Sequence, residues 1–153
     1  PYPFRTVGPL YPSLLALLWH AWPTHPRPAD VTEIPLAFLT AARAAQVLAG
    51  VALVWLTHRL AMRVGASRPA AVLAAAGVAL TPAFVFESYL LHTETLAIVL
   101  FVASTLLAVR AADLVSPARA AGAGALAALG GMTRLFLLPW PVVLGAALVF
   151  RPG

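Results

Sequence analysis

The chain contains no cysteine and no lysine. Without thiols it forms no disulfide and no thiolate metal site, and cysteine usage says nothing about its redox compartment. Without lysine, all ten basic residues are arginine, a side chain that stays charged throughout the accessible pH range. Charge of either sign is scarce. Only 10% of the 153 residues are charged, against about 25% in soluble domains. A water-soluble fold of this size would lack the polar side chains to cover its surface. What is plentiful is apolar: 61% of residues are hydrophobic and the mean hydropathy is +0.90. Composition therefore points to lipid as the solvent. A net charge of +5 would suit nucleic acid, but the arginines are dispersed between hydrophobic runs and form no basic stripe, which excludes that partner.

The runs themselves organise the chain. Residues 1–34 are rich in proline and hold Tyr2, Tyr11, Trp19 and Trp22. The apolar stretch 10–22 would reach about 20 Å as a helix, too short for a hydrocarbon core of about 30 Å. Its aromatics suit the headgroup boundary, so an interfacial helix within an extracytoplasmic loop is expected. Residues 35–151 read as the membrane region, with four to five segments. The first span covers 35–58, broken only by Arg43 and Gln46. The second covers 70–86, with Pro82 tolerated inside it. The third covers 93–109. Residues 120–150 as one helix would be about 46 Å long, more than a tilted span needs. The run Gly130-Gly131-Met132-Thr133-Arg134, followed by Pro139 and Pro141, marks a break into two short segments; one kinked helix is the alternative. The expected fold is thus all-α, a polytopic transmembrane helical bundle. The chain opens at Pro1 in a loop and ends just after a hydrophobic run, as an internal piece of a longer protein would.

Charge placement orients the bundle. The connection 58–69 carries Arg59, Arg63 and Arg68, and the connection 110–119 carries Arg110 and Arg119. The turn 87–94 carries Glu87, His92 and Glu94 and no arginine. Positive-inside bias makes the two basic connections cytoplasmic and puts 1–34 and 87–94 outside.

Candidate chemistry sits at that outer end. Glu87, Glu94 and His92 interrupt apolar sequence, where a carboxylate must be hydrated, paired or functional. Together they suit a divalent cation or an acceptor hydroxyl, or simply solvate a turn. Arg43 lies inside a span. It either clamps an anion, snorkels, or pairs with Glu87 or Glu94. Arg134 follows the double glycine on the outer side, against positive-inside bias, as an anion contact or an interface anchor. Gly50, Gly77 and the pair Gly122/Gly124 are expected to permit close helix packing. No P-loop, nucleophile elbow or HExxH run occurs.

Four stretches, in order, resemble the polyprenyl-phosphate-sugar-dependent membrane glycosyltransferases of the GT-C superfamily, of the protein mannosyltransferase and aminoarabinose transferase type. Gly8-Pro9-Leu10-Tyr11 resembles the segment that closes their first outer loop. Ala42-Arg43 and the Arg59–Arg63–Gly65 turn resemble the next span and its cytoplasmic end. Leu80-Thr81-Pro82 and Thr93-Glu94-Thr95-Leu96 resemble the following pair. Gly130 to Arg134 resembles the break near the outer surface. The resemblance implies transfer of a sugar from a polyprenyl-phosphate donor, in contact with membrane lipid, to a protein, lipid or glycan acceptor outside the cytoplasm. It implies a general-base aspartate upstream of Pro1, with Glu87 or Glu94 orienting the acceptor or a metal. Arg43 and Arg134 would hold the phosphate, with His92 nearby. Where aminoarabinose transferases carry Glu-Lys, this chain has Thr6-Val7, leaving Arg5 as the nearest cation and the sugar open. A multi-span transporter and a non-catalytic membrane scaffold are the competing classes.

Overall fold

In the computed structural model of the chain, residues 8–21, 35–83, 86 and 93–149 are described, and every structural statement below concerns them. They form helices joined by short turns, with no sheet. The helices are α1 (Leu10–His20), α2 (Leu36–Arg63), α3 (Arg68–Leu80), α4 (Thr93–Asp113), α5 (Pro117–Thr133) and α6 (Trp140–Val149). A 3₁₀ turn, Leu135–Leu137, separates the last two. Two helices, α2 and α4, are long and apolar enough to cross a membrane. Only 22% and 39% of their most apolar windows are buried within the fold. The apolar surface of these helices therefore faces mostly outward, unlike that of a core helix in a soluble domain.

Helix ends follow local chemistry. Arg59 and Arg63 are good helix formers, so α2 continues past His58 until Gly65, whose φ of +91° suits only glycine. Ala66 N–H then bonds Ala61 O at 3.0 Å, closing the helix end. Ser67 caps α3, its Oγ accepting from Ala70 N–H at 3.4 Å. Pro117 occupies the first turn of α5, where its missing N–H costs nothing. Between α4 and α5 the left-handed position falls on Val115, φ +45°, a conformation that strains a β-branched residue.

The expected second span is shorter than 70–86. Helix α3 ends at Leu80, because Thr81, lying before Pro82, takes an extended conformation (φ −70°, ψ 114°). At 13 residues α3 is about 20 Å long. The stretch 120–150 is two helices that part at Arg134, not one kinked helix.

Helix α2 packs against both α3 and α4, and α4 against α5. Arg63 Nε bonds Asp113 Oδ2 at 3.0 Å, tying together the C-termini of α2 and α4, which therefore run parallel. The seam between α4 and α5 is built from small residues: Ala97, Ala108 and Ala111 against Ala123, Ala127 and Gly130, all buried. A Cβ on Gly122 would lie 3.0 Å from Leu107 Cδ2, and one on Gly130 would lie 3.6 Å from Leu100 Cβ. Small side chains let the backbones approach closely. Gly77 and Gly124 face open space, so close packing is not their role. Leu144 and Trp140 of α6 cover the lower seam, and Trp140 Nε1 donates to Ser104 Oγ at 3.2 Å.

The two turns give opposite stability responses. Gly65→Ala, which meets no atom within 4 Å, should cost about 1 kcal/mol through backbone conformation alone. Val115→Gly should raise stability by up to about 1 kcal/mol, net of the chain entropy of glycine. Equilibrium unfolding of both variants checks the pair of signs.

Candidate functional site

Helix α4 begins where α5 ends, and the charged side chains at these two ends meet. Glu94 lies in the first turn of α4, and Arg134 is the residue that follows Thr133 at the C-terminus of α5. Arg134 Nη2 and Glu94 Oε1 form an ion pair. The pairing agrees with both helix dipoles: an anion sits at an N-terminus and a cation at a C-terminus. The side chains are only 19% and 32% exposed. Solvent screening is therefore weaker here than at the half-open Arg63–Asp113 pair.

The same level of the fold gathers further polar groups. Twenty residues before Arg63 on α2 is Arg43, and twenty residues before Asp113 on α4 is Thr93. Because α2 and α4 are parallel and tied at Arg63–Asp113, equal rise puts Arg43 and Thr93 at one height. Arg43 has an interaction partner in the fold. The hydroxyls of Thr93 and Thr95, on either side of Glu94 in sequence, are buried and find no hydrogen-bond partner; nor does Arg134 Nε. Thr133 Oγ1, by contrast, donates to Gly130 O at 2.6 Å. A buried polar atom without a partner costs about 1–3 kcal/mol, so the Arg134 Nε donor beside the ion pair, with two threonine hydroxyls at the same level that can donate or accept, marks a place suited to a polar ligand.

Gly8 closes this end. Its N–H donates to Thr133 O at 3.0 Å, and a Cβ on it would stand 1.9 Å from Met132 O. Only glycine fits so near a backbone carbonyl. The docked segment leads into α1, which approaches α5 and reaches α2 through its side chains. Trp19 meets Phe38 edge-to-face at 5.0 Å, and Tyr11 Oη donates to Gln46 Oε1 at 2.9 Å. Burial pushes the Tyr11 hydroxyl up to about 12, so it remains a neutral donor. Beside this contact an apolar cavity of about 260 Å³ opens between Leu14 and Leu18 of α1, Ala42, Ala45 and Ala49 of α2, and Leu96 of α4. Its walls include Ala42 and Gln46 on either side of Arg43, so an apolar hollow lies beside the polar level.

Of the residues expected to carry chemistry, Glu94 and Arg134 are in contact and Arg43 shares their level. Glu87, His92 and Arg5 lie outside the described residues. Among the described residues, no group of three or more His, Cys, Asp or Glu is placed to hold a metal ion. In the sequence, Thr93, Thr95 and Tyr11 stand out only within stretches that carry the family resemblance, Tyr11 also as a boundary aromatic, with no chemical role assigned, and the Tyr11–Gln46 bond is not foreseen. The signal for the last was present, since a glutamine inside an apolar span needs a partner. No protein-family model, curated protein or solved structure matches the chain.

Docking of the Gly8 segment yields a direct prediction. Gly8→Ala should break the bond to Thr133 O and release the segment, at a cost of about 1–2 kcal/mol. Limited proteolysis should then cut before α1 faster than in the parent, while the α4–α5 pair keeps its protection.

Proposed function

We propose that the chain is the core of a multi-pass membrane glycosyltransferase of the GT-C type. In this reading it transfers a sugar from a polyprenyl-phosphate donor to an extracytoplasmic acceptor. The observation that carries the reading is the meeting of three stretches distant in sequence: Gly8 on Thr133, and Glu94 on Arg134. These belong to three of the four stretches on which the family resemblance rests.

The chemistry of the site supports a phosphate ligand. Arg134 uses one nitrogen on Glu94 and keeps Nε, a buried donor, available. A guanidinium held on one side by a carboxylate is oriented to meet phosphate oxygens with the other. Glu94 then acts as a positioning residue, since a carboxylate engaged by a cation is poorly suited to take an acceptor proton. Glu87 and His92 remain the candidates for orienting the acceptor. As negative charge builds on the departing phosphate, preorganised donors stabilise it more than they stabilise the intact donor lipid. The apolar cavity beside it, lined by α1, α2 and α4, suits the first isoprene units of such a lipid.

The membrane part of the reading rests on the outward apolar faces of α2 and α4 and on the arginines at one end of the bundle. In this reading the chain alternates across the bilayer, α3 at about 20 Å supplying only part of the crossing between Arg68 and Thr93, with the turns 64–67 and 114–116 cytoplasmic and Glu94 and Arg134 at the outer end.

Absence of native cysteine makes the topology straightforward to test. Ala66→Cys and Ser116→Cys should react with an impermeant thiol reagent only from the cytoplasmic side, and Ala83→Cys only from outside. Labelling of Ala66→Cys and Ala83→Cys from a common side removes the scheme. For the chemistry, Arg134→Ala and Arg43→Ala should each lower transfer from polyprenyl-phosphate-linked sugars by on the order of 100-fold at equal expression. The double variant Glu94→Gln/Arg134→Gln leaves no lone buried charge, so it should fold yet stay inactive. Full activity in that variant, or in both alanine variants, overturns the phosphate clamp.

A further inference from the structure

At the end of the fold opposite Glu94, a second cavity, of about 590 Å³, is lined by His58, Arg59, Met62, Arg63, Arg68 and Arg110. Three helices contribute: α2, the first turn of α3 and the last turn of α4. Asp113, bonded to Arg63, is the one carboxylate of the described residues at this end. Four guanidiniums against one carboxylate leave an excess of three positive charges around a single space.

Two features go beyond a scatter of basic turn residues. First, two of the four cations are held in place: Arg63 by Asp113, and Arg59 over the Trp55 ring at 5.3 Å. Second, Arg68 is the first residue of α3, where the helix dipole opposes a positive charge. Its place there works against helix stability, and an anion in the cavity would reverse that sign. The surroundings are those of an amphiphile rather than a soluble ion. Leu48, Val51, Trp55 and Met62 are all exposed and recur at helical spacing, so one outward stripe of α2 runs from bare apolar surface to the arginine cavity.

We propose that this cavity binds the headgroup of an anionic phospholipid, its phosphates among Arg59, Arg68 and Arg110 and an acyl chain along Leu48, Val51 and Trp55. The inner-leaflet assignment rests on the orientation proposed above; the headgroup chemistry does not. Clusters of arginine at the cytoplasmic ends of membrane helices attract such lipids with an energy that adds per cation. A headgroup with two phosphodiesters matches the excess charge better than one with a single phosphate.

The test uses the purified full chain in neutral detergent, with native mass spectrometry and thermal shift as readouts. The added probes are cardiolipin, phosphatidylglycerol, phosphatidylcholine and inorganic pyrophosphate. Cardiolipin should bind most tightly and phosphatidylcholine should not be retained. Arg59→Gln/Arg68→Gln/Arg110→Gln, which keeps the Arg63–Asp113 pair, should weaken cardiolipin binding by on the order of 100-fold. Arg68→Glu serves as a second variant that favours its own helix. It should lose binding by roughly tenfold while melting no lower than the parent in lipid-free detergent. Equal lipid binding by the triple variant overturns the proposal, as does equal retention of phosphatidylcholine. Displacement of cardiolipin by an equal concentration of pyrophosphate would assign the cavity to a soluble anion instead, and also overturns it. Labelling of Ala66→Cys from outside alone would overturn the inner-leaflet assignment and leave the lipid-binding result standing, which separates the two failures.

Discussion

Glu94 and Arg134 meet where the start of one helix lies beside the end of another, and much of the fold is organised around that meeting. The pair is drawn together by unlike charge and by two helix dipoles that each favour the charge placed on them. Breaking the pair would leave a partly buried ion without its counterpart, a far larger penalty than the pair's own net stabilisation. The contact also fixes where the long hydrophobic tail of the chain turns back. Helix α5 rises to Thr133, the extended Arg134 reaches across to Glu94, and α6 descends along the same seam. The Gly8 segment then rests on the carbonyl that this turn exposes.

Close packing beneath that contact comes from what the side chains omit. The core holds few large residues; alanines and glycines predominate along α4 and α5, and Phe38 and Leu53 of α2, Leu106 of α4 and Leu144 of α6 are the bulkier members. Dispersion contacts between backbones replace the volume that leucines supply in soluble bundles. Two hollows lie away from that seam, one between α1 and α2 beside Tyr11 and one among the ends of α2, α3 and α4. One is walled mostly by hydrocarbon and the other mostly by guanidiniums, so each presents a different chemistry to an amphiphile.

Hydropathy alone located the helical runs, because a continuous apolar stretch between arginines leaves few alternatives. The break at Arg134 was equally legible from Gly130-Gly131 and the prolines beyond. The partner of Arg134 was not. Glu94 is forty residues away, and pairing across that distance depends on how α4 and α5 dock, which no local pattern encodes. The end of α3 was readable in principle. Thr81 precedes proline, and that rule outweighed the tolerance of membrane helices for proline. The ends of α2 and α4 ran past their expected limits because arginine propagates a helix as readily as leucine does. Glycines misled: of Gly77, Gly122 and Gly124, only Gly122 sits against a neighbour, since composition does not reveal which face of a helix is covered.

Helices α2 and α4 are bound at one end yet differ in length, about 42 Å against about 31 Å. Only the shorter matches a typical hydrocarbon slab. The surplus of the longer one projects two turns past Thr93, where Phe38 gives the ring of Trp19 a wall to lean on. In a thicker bilayer those turns would sink among acyl chains, and in a thinner one they would stand clear in the headgroups. In the proposed orientation the step between these two unequal rods falls at the outer boundary, where a change of bilayer thickness would be met first by the α1 helix beside it.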